Sequence, residues 1–405
     1  MKTVHVIGAG FAGLTVSLRL AQKGFQVELY ESSDRVGGLL GTDQTPYGIA
    51  ERAANALIRT EKAEGLFSEL GLTPSFPLES SKKRFLFRNS PKAWPLTFLE
   101  TLTLIGRVLP RVLIGGKKVL RPQAGETLLN WGERKIGKAP TRFLLGPAMQ
   151  GIYGNEITHL SASLILGPLF SGAKRSKYKG LLTGPGGMQD LVDHLQTRLQ
   201  ELGVKIHLNS NVNLASLEGP VVLATSAKAA SVLLAEKHPE FSKVLSKIQM
   251  SSLMSVTLFF TKAQEKFKGF GCLIPRGFDL KALGVLMNSY IFKDRDKTYN
   301  ETWILGGQQE EALLDLPDNE ILKLLADERF RILGQKDTLL DYRINRWKKA
   351  LPFYDLNLEN ALADLAEVPE PAGFYLHGNY LSGIGLSKIL ERSDWIAEKI
   401  ASEHG

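Results

Sequence analysis

The sequence predicts an α/β protein: a parallel, doubly wound dinucleotide-binding domain, a second domain built on its own sheet, and a mostly helical insertion. Three observations carry this. An apolar strand near the N-terminus runs into a glycine turn and then a helix. Strand and helix patterning of the same kind returns over residues 180–232 and again near the C-terminus. Residues 233–347 are rich in strand patterns instead.

The N-terminal unit reads Val4-His5-Val6-Ile7, then Gly8-x-Gly10-x-x-Gly13 with Phe11 and Ala12 inside the turn, then a helix, then Val27-Glu28-Leu29-Tyr30-Glu31. Gly8 permits the tight turn. Gly10 lets the backbone approach a pyrophosphate, and Gly13 lets the helix pack close to the strand, so that the helix N-terminus faces the phosphates. Glu31 ends the second strand 23 residues after Gly8, where a carboxylate accepts from ribose hydroxyls. A glycine-rich turn without a ligand is the plainer alternative, but the whole Rossmann-like unit points to a dinucleotide. Beyond it, Arg35 can pair with phosphate, and Gly37-Gly38 leave room for close backbone approach. Otherwise Arg35 is a surface arginine before a loop.

The 405 residues exceed one ordinary core, so two or three domains are expected. The single cysteine, Cys272, excludes an intrachain disulfide, and no Cys/His cluster has metal-site spacing. The first strand starts at Thr3, leaving no space for a leader peptide. No apolar run is long enough to span a membrane. Together these favour a cytoplasmic setting. The net charge of +8 suits anionic substrates or anionic lipid surfaces. Nucleic acid is not expected, because no compact basic run or aromatic-interleaved motif occurs.

Residues 1–75, 171–232 and 348–405 are expected to form one discontinuous dinucleotide domain, residues 76–170 a helical domain, and residues 233–347 a substrate domain with a mixed or antiparallel sheet. In the helical part, an apolar stretch runs from Trp94 to Ile114 and is followed by Gly115-Gly116-Lys117-Lys118 and Arg121. Glu100 is the only acid between Trp94 and Arg121. This reads as an amphipathic segment with a basic edge. It fits peripheral contact with a membrane surface, or an ordinary helix packing its apolar face on the protein.

The Glu31…Arg35-Val36-Gly37-Gly38 arrangement resembles the extended motif of FAD enzymes of the amine oxidase and phytoene desaturase superfamily. Further pieces, in order, resemble the oxygen-dependent protoporphyrinogen and coproporphyrinogen oxidases. They are Lys83-Arg84-Phe85-Leu86-Phe87, Gly151-Ile152-Tyr153-Gly154 with Leu160-Ser161, Gly186-Gly187-Met188-Gln189, Gly269 to Pro275, Leu283 to Ser289, Trp347…Ala350-Leu351-Pro352-Phe353-Tyr354, and Gly378-Asn379-Tyr380-Leu381-Ser382-Gly383-Ile384-Gly385-Leu386.

That resemblance implies an amine oxidase-like fold and FAD as cofactor, held by Gly8, Gly10, Phe11, Ala12, Gly13, Glu31, Arg35, Gly37, Gly38, Val212, Trp347, Gly378, Asn379, Ile384, Gly385 and Leu386. Val212, on a short strand after Leu208, would meet the adenine through its backbone. Trp347 would sit near the isoalloxazine or simply pack. Arg84 would hold a propionate through its planar fork, or else be a solvated charge beside Lys82 and Lys83. Phe270, Leu273, Leu286 and Ile304 would line the porphyrinogen pocket, although strand apolars are usually plain core. His377 reads as structural. No acid–base pair or activated nucleophile stands out, and no metal is implied; this fits flavin chemistry, in which the cofactor carries the difficult step.

The reaction implied is six-electron oxidation of a porphyrinogen, protoporphyrinogen IX or coproporphyrinogen III, to the porphyrin in haem biosynthesis. It would run in three flavin cycles. In each, a hydride leaves the substrate for the flavin, and dioxygen then takes the electrons. The rivals are amine oxidation, isoprenoid desaturation and a non-enzymatic flavin-binding scaffold. A homodimer is left open.

Overall fold

The computed structural model describes residues 2–170 and 177–405. The first residues of the second expected dinucleotide segment, 171–176, lie outside the described residues. The N-terminal sheet has five parallel strands in the order Phe374–Leu376, Val221–Leu223, Thr3–Ile7, Gln26–Tyr30 and Lys205–His207. Three distant pieces of chain therefore build it.

Alternation along these strands feeds two cores. Val4, Val6, Leu29 and Val222 pack with helices Phe11–Gln22, Met188–Glu201 and Leu386–His404. Ile7, Val221 and Leu223 pack on the other side with helices Ala227–Leu234, Pro239–Ser246 and Leu356–Glu367. Both faces are covered, so the strands read as near-continuous apolar runs.

The second sheet has seven strands in the order Leu339–Pro352, Met250–Phe260, Tyr299–Gly306, Gly284–Leu286, Gly271–Leu273, Phe85–Phe87 and Pro91–Lys92. It is mixed: Gly271–Leu273 runs parallel to Phe85–Phe87 and every other pairing is antiparallel. The last two strands come from the segment expected to be helical. They are only three and two residues long, too short to leave a periodic signal. Helix Asp318–Leu333 covers one face of this sheet through Ile321 and Leu325.

The apolar pattern from Gly284 to Phe292 reads as one strand, and Val212 is expected on another; both change. Pairing stops at Leu286, and a short 3₁₀ turn follows over Asn288–Tyr290. There the Asn288 amide donates to Asn300 and Thr302 side-chain oxygens at 2.7 and 2.8 Å. Val212 is not on a strand either. The strand ends at His207, and the chain turns at Asn209, φ +50°. The Asn209 and Ser210 amides then bond to the carbonyls of Ser33 and Glu31, so Val212 lies in a loop fastened to the end of the second strand.

Helix Phe98–Gly115 is present as expected, opened by a capping box in which Thr97 and Glu100 satisfy each other's amides. Arg88 adds a two-pronged ion pair to Glu100 at 2.6 and 3.1 Å. No residue of this helix is buried.

Candidate active site

The glycine turn is a site made of main chain. Gly8 has φ +99°, and a Cβ there would meet the Ala224 carbonyl oxygen at 2.7 Å. A Cβ on Gly13 would fall 1.8 Å from the Gly8 carbonyl oxygen, so only glycine lets the helix sit this close to the strand. Gly37 bridges Gly10, and a Cβ on Gly38 would lie 3.0 Å from the Gly10 Cα. The helix has no side-chain cap at Gly10 and no acid in its first turn. Its leading amides, including those of Phe11, Ala12 and Gly13, are thus left to an anionic ligand.

Glu31 stands beside this turn. One carboxylate oxygen accepts from the Ala9 amide at 2.8 Å, and the other from the Ser33 amide and hydroxyl, both at 2.9 Å. The Ser32 hydroxyl adds a longer contact to that second oxygen at 3.3 Å, whereas the first accepts only from Ala9 and so keeps a position for a ribose hydroxyl. Arg35 is engaged differently. Its guanidinium donates to the carbonyls of Val36 and Leu40 at 3.1 and 3.0 Å, and to that of Gly38. Here it shapes the loop that carries Gly37 and Gly38.

The C-terminal segment closes the same space. Gly378 lies against the Thr225 carbonyl, next to the Ala224 and Thr225 atoms that crowd Gly8. Asn379 opens a short helix, Asn379–Ser382, and its carbonyl accepts from the Tyr354 hydroxyl. Ile384 and Gly385 lead into helix Leu386–His404, which also starts without a side-chain cap. His377 is structural here: its Nε2 meets the Ser393 hydroxyl at 2.8 Å, and Ser393 meets the Thr15 hydroxyl at 2.7 Å. Burial, with Arg392 nearby, pushes its pKa down to about 3, which keeps the imidazole neutral.

A flavin dinucleotide fits these residues. The cradle at Gly10 and Gly38 is space that a Cβ would fill, and the uncapped helix starts supply donors.

One participant escaped the sequence reading of the site. Glu51 is buried, accepts from the Thr42 hydroxyl at 2.7 Å and the Met188 amide at 3.1 Å, and pairs with Arg295 at 2.9 Å. It ties Thr42 and Met188 to the connection that leads into strand Tyr299–Gly306. Burial pushes its pKa up to about 7, against the pull of Arg295 and its hydrogen bonds. Its neighbour Arg52 offers a carbonyl that accepts from the Trp347 indole at 2.8 Å and the Ser255 hydroxyl at 2.7 Å. Trp347 and Ser255, both on the seven-stranded sheet, are thereby tied to the main chain next to Glu51. A buried acid has no periodic signature, so only its partners reveal it.

The face of the second sheet that carries Trp347 is the candidate substrate wall. In register, Trp347 lies opposite Leu253, and Ser255 opposite Ile304. Ile304 pairs with Gly284, Leu286 with Thr302 and Gly271, and Leu273 with Gly284 and Leu86. Leu86, Leu253, Leu273, Leu286 and Ile304 therefore share one face and are half-buried, while Met254, Leu305, Val285 and Cys272 between them are buried on the other. Three of the predicted wall residues, Leu273, Leu286 and Ile304, are thus brought together, and Leu253 and Leu86 join them. Helix Gly146–Tyr153 roofs this face. A Cβ on Gly151 would lie 2.4 Å from Leu273, and one on Gly154 would lie 2.9 Å from Leu253.

Arg84 sits at the edge of this wall, just before strand Phe85–Phe87. It is exposed, forms no ion pair among the described residues, and rests its guanidinium 4.9 Å above the Phe270 ring. Phe270 thus holds Arg84 rather than lining the wall's centre.

The profile of the flavin containing amine oxidoreductase family matches residues 11–385. The chain belongs to this family. FAD is its cofactor, in keeping with the dinucleotide unit at Gly8–Glu31. Over 99% of its length the chain is 25% identical to the mitochondrial protoporphyrinogen oxidase of Nicotiana tabacum, covering 95% of that protein. It is 22% identical to the coproporphyrinogen III oxidase of Bacillus subtilis (strain 168), with 96% of each covered. A provisionally named protoporphyrinogen oxidase of Exiguobacterium sp. 255-15 shares the fold with TM-score 0.79 at 18% identity, over 100% and 99% of the two chains.

In this flavin enzyme a polar cavity of about 350 Å³ lies elsewhere, lined by Glu156, His159, Arg276, Gln308 and Asp355 among others. It includes none of the predicted cofactor or substrate residues. Two of its lining side chains, Glu156 and Asp355, are carboxylates.

Proposed function

We propose that this protein oxidises a porphyrinogen, protoporphyrinogen IX or coproporphyrinogen III, to the porphyrin in haem biosynthesis, with dioxygen as the final acceptor. The observation that carries this reading is the one-sided aliphatic wall of Leu253, Leu273, Leu286 and Ile304, closed at its edge by the unpaired Arg84. A large, flat, apolar ring with acidic arms matches both parts, and the oxidases similar to the chain act on such rings by name. An amine substrate would call for paired aromatic rings, whereas the wall beside Trp347 is aliphatic.

FAD, when bound, supplies the hydride acceptor. The protein's own part is placement. The aliphatic wall takes up the macrocycle and keeps water off it. Arg84 binds a propionate in a charge-assisted fork. Trp347, pinned to the Arg52 carbonyl, fixes the wall relative to the cofactor domain. Aliphatic contact is non-directional, so the ring can be presented again for the second and third two-electron steps. The test is to add each porphyrinogen to purified, FAD-loaded protein in air and follow porphyrin fluorescence and peroxide. Growth of both signals supports the proposal, and no fluorescence above the protein-free control with either substrate sinks it.

The reading extends to location: a cytoplasmic protein resting on a membrane surface. Helix Phe98–Gly115 turns Phe98, Leu99, Leu102, Ile105, Leu109, Leu113 and Ile114 to solvent, while Leu104, Val108 and Val112 half-bury on the protein. Apolar on both sides, it lacks a cover, and Lys117, Lys118 and Arg121 follow it. No helix among the described residues is long and apolar enough to cross a membrane, so the contact would be peripheral. Equal recovery in the supernatant with and without anionic vesicles would remove this part.

A further inference from the structure

We infer that the contact between the cofactor domain and the second sheet holds a proton-linked clip, built from Glu51, Arg295 and Asp296, which tightens as the medium turns acidic and loosens as it turns alkaline. This is independent of which substrate the protein takes.

The clip begins in the main chain. The hairpin of strands Thr42–Thr45 and Gly48–Glu51 meets the connection that precedes strand Tyr299–Gly306. The Ile49 amide donates to the Arg295 carbonyl at 3.3 Å, and the Lys297 and Thr298 amides donate to the Tyr47 carbonyl at 3.0 and 3.1 Å. Gly48 bridges Asp296, and a Cβ on it would lie 3.0 Å from the Asp296 Cα. Strand Tyr299–Gly306 carries Ile304, so these bonds also govern how firmly the wall is held against the cofactor domain.

The side chains of the clip are out of electrical balance. Glu51 and Arg295 are nearly sealed from water, with 6% and 7% of their side chains exposed. A guanidinium fork would offer the carboxylate two donors. Here only Nη2 of Arg295 reaches Glu51, at 2.9 Å, and the same nitrogen also serves the Thr183 hydroxyl at 3.2 Å and the Gly184 carbonyl at 3.3 Å. The Arg295 Nε is buried and has no hydrogen-bond partner among the described residues. Asp296 sets a second carboxylate near the same guanidinium. The other charges around it are committed or solvated. Asp190, in the first turn of helix Met188–Glu201, accepts from the Gly186 amide at 2.6 Å, and Asp43 pairs with Arg52 at 2.7 Å. Lys293, Asp294 and Lys297 are exposed.

Two sheltered acids thus share one arginine, and a single proton brings the three groups to neutrality. Burial outweighs the pull of Arg295 here: it pushes the Glu51 pKa up to about 7 and raises that of Asp296 as well. When the clip opens, Glu51 meets water and titrates near 4.3, as a free glutamate does. The closed state therefore binds more protons than the open one between these two values. Its advantage from this group is complete below the lower value and is lost as pH rises through the upper one. An ordinary exposed ion pair behaves in the opposite sense, since acid breaks it.

The experiment follows hydrogen exchange of the Ile49, Lys297 and Thr298 amides in FAD-loaded protein at pH 6 and pH 8, with each rate divided by the unprotected rate at that pH. Opening should become roughly tenfold easier between the two, so protection at these amides should fall roughly tenfold. Amides of helix Asp318–Leu333, away from the clip, should fall much less. Glu51→Gln cannot ionise and should flatten the dependence. Asp296→Asn removes the second acid and should shrink it, which serves should the first variant not fold. Protection that stays constant, or rises with pH as for an ordinary ion pair, overturns the inference. A wild-type fall in either folded variant also overturns it, as does an equal fall in the reference helix, which would report the stability of the whole chain.

Discussion

The cofactor cradle and the substrate wall are built from different material. Around Gly8, Gly10, Gly13, Gly37 and Gly38 the working groups are amides, carbonyls and the space left by missing side chains. On the open face of the seven-stranded sheet they are side chains, delivered by strands drawn from residues 85–87 to 339–352. A backbone site has no graded response, because an added carbon either fits or does not. A side-chain wall can be trimmed and rebuilt one methyl at a time. One class of protein can therefore hold its cofactor constant while its substrate changes.

The sharpest way to break this contrast is at Gly10. Gly10→Val places a branched side chain where the pyrophosphate should approach and where the Gly38 Cα lies 3.9 Å from even an added Cβ. We expect complete loss of FAD, measured as the absorbance of the purified protein. Yellow protein with normal flavin content would refute the backbone account.

Next come the two faces of the wall itself. Trp303 is fully buried on the closed face, its indole donating to Glu301 at 3.1 Å, whereas its neighbour Ile304 is half-buried on the open one. Trp303→Ala should cost about 3–5 kcal/mol in denaturant unfolding. Ile304→Ala should cost under about 1.5 kcal/mol, since little of a cavity is made at an open face, and should act on substrate KM instead. Similar unfolding losses in the two variants would mean that the open face is ordinary core.

At Arg84 the expected effect is smaller than at Trp303. Arg84→Ala should raise KM for porphyrinogen by roughly ten- to hundredfold, equivalent to ~1.5–3 kcal/mol for a charge-assisted contact, with FAD content unchanged. Arg84→Lys should restore only part of it, because a point charge lacks the planar fork. Wild-type KM in the alanine variant would make Arg84 a solvated surface charge resting on Phe270.

These two materials were not equally readable from the sequence. The cradle is local: Gly8 to Glu31 lies within one strand–helix–strand unit, so residue spacing carries its geometry. Even there Arg35 was legible as a cation but not as a donor to its own loop, because which carbonyl lies in reach depends on how residues 36–40 curl. The wall is non-local. Alternation marks Leu273, Leu286 and Ile304 as strand apolars without saying which face they share, and that parity is decided by pairing with strands tens of residues away. Leu253 was invisible for the same reason. Glu51 carries no sign of its burial in the sequence, because that follows from Thr42, Met188 and Arg295 arriving from three regions. Val212 was placed on a strand by its apolar pattern, whereas the Asn209 turn took it into a loop.

The buried relay from the Phe11 carbonyl through Thr15 and Ser393 to His377 spans nearly the entire chain, since Thr15 and Ser393 are 378 residues apart. In the order of synthesis the glycine turn precedes the strand at Phe374–Leu376 and the helix that carries Ser393. Helix Phe11–Gln22 therefore gains its hydroxyl partner on helix Leu386–His404 only after 378 residues have followed Thr15. The two uncapped helix starts of the cradle become fixed to one another late, however early the first of them forms.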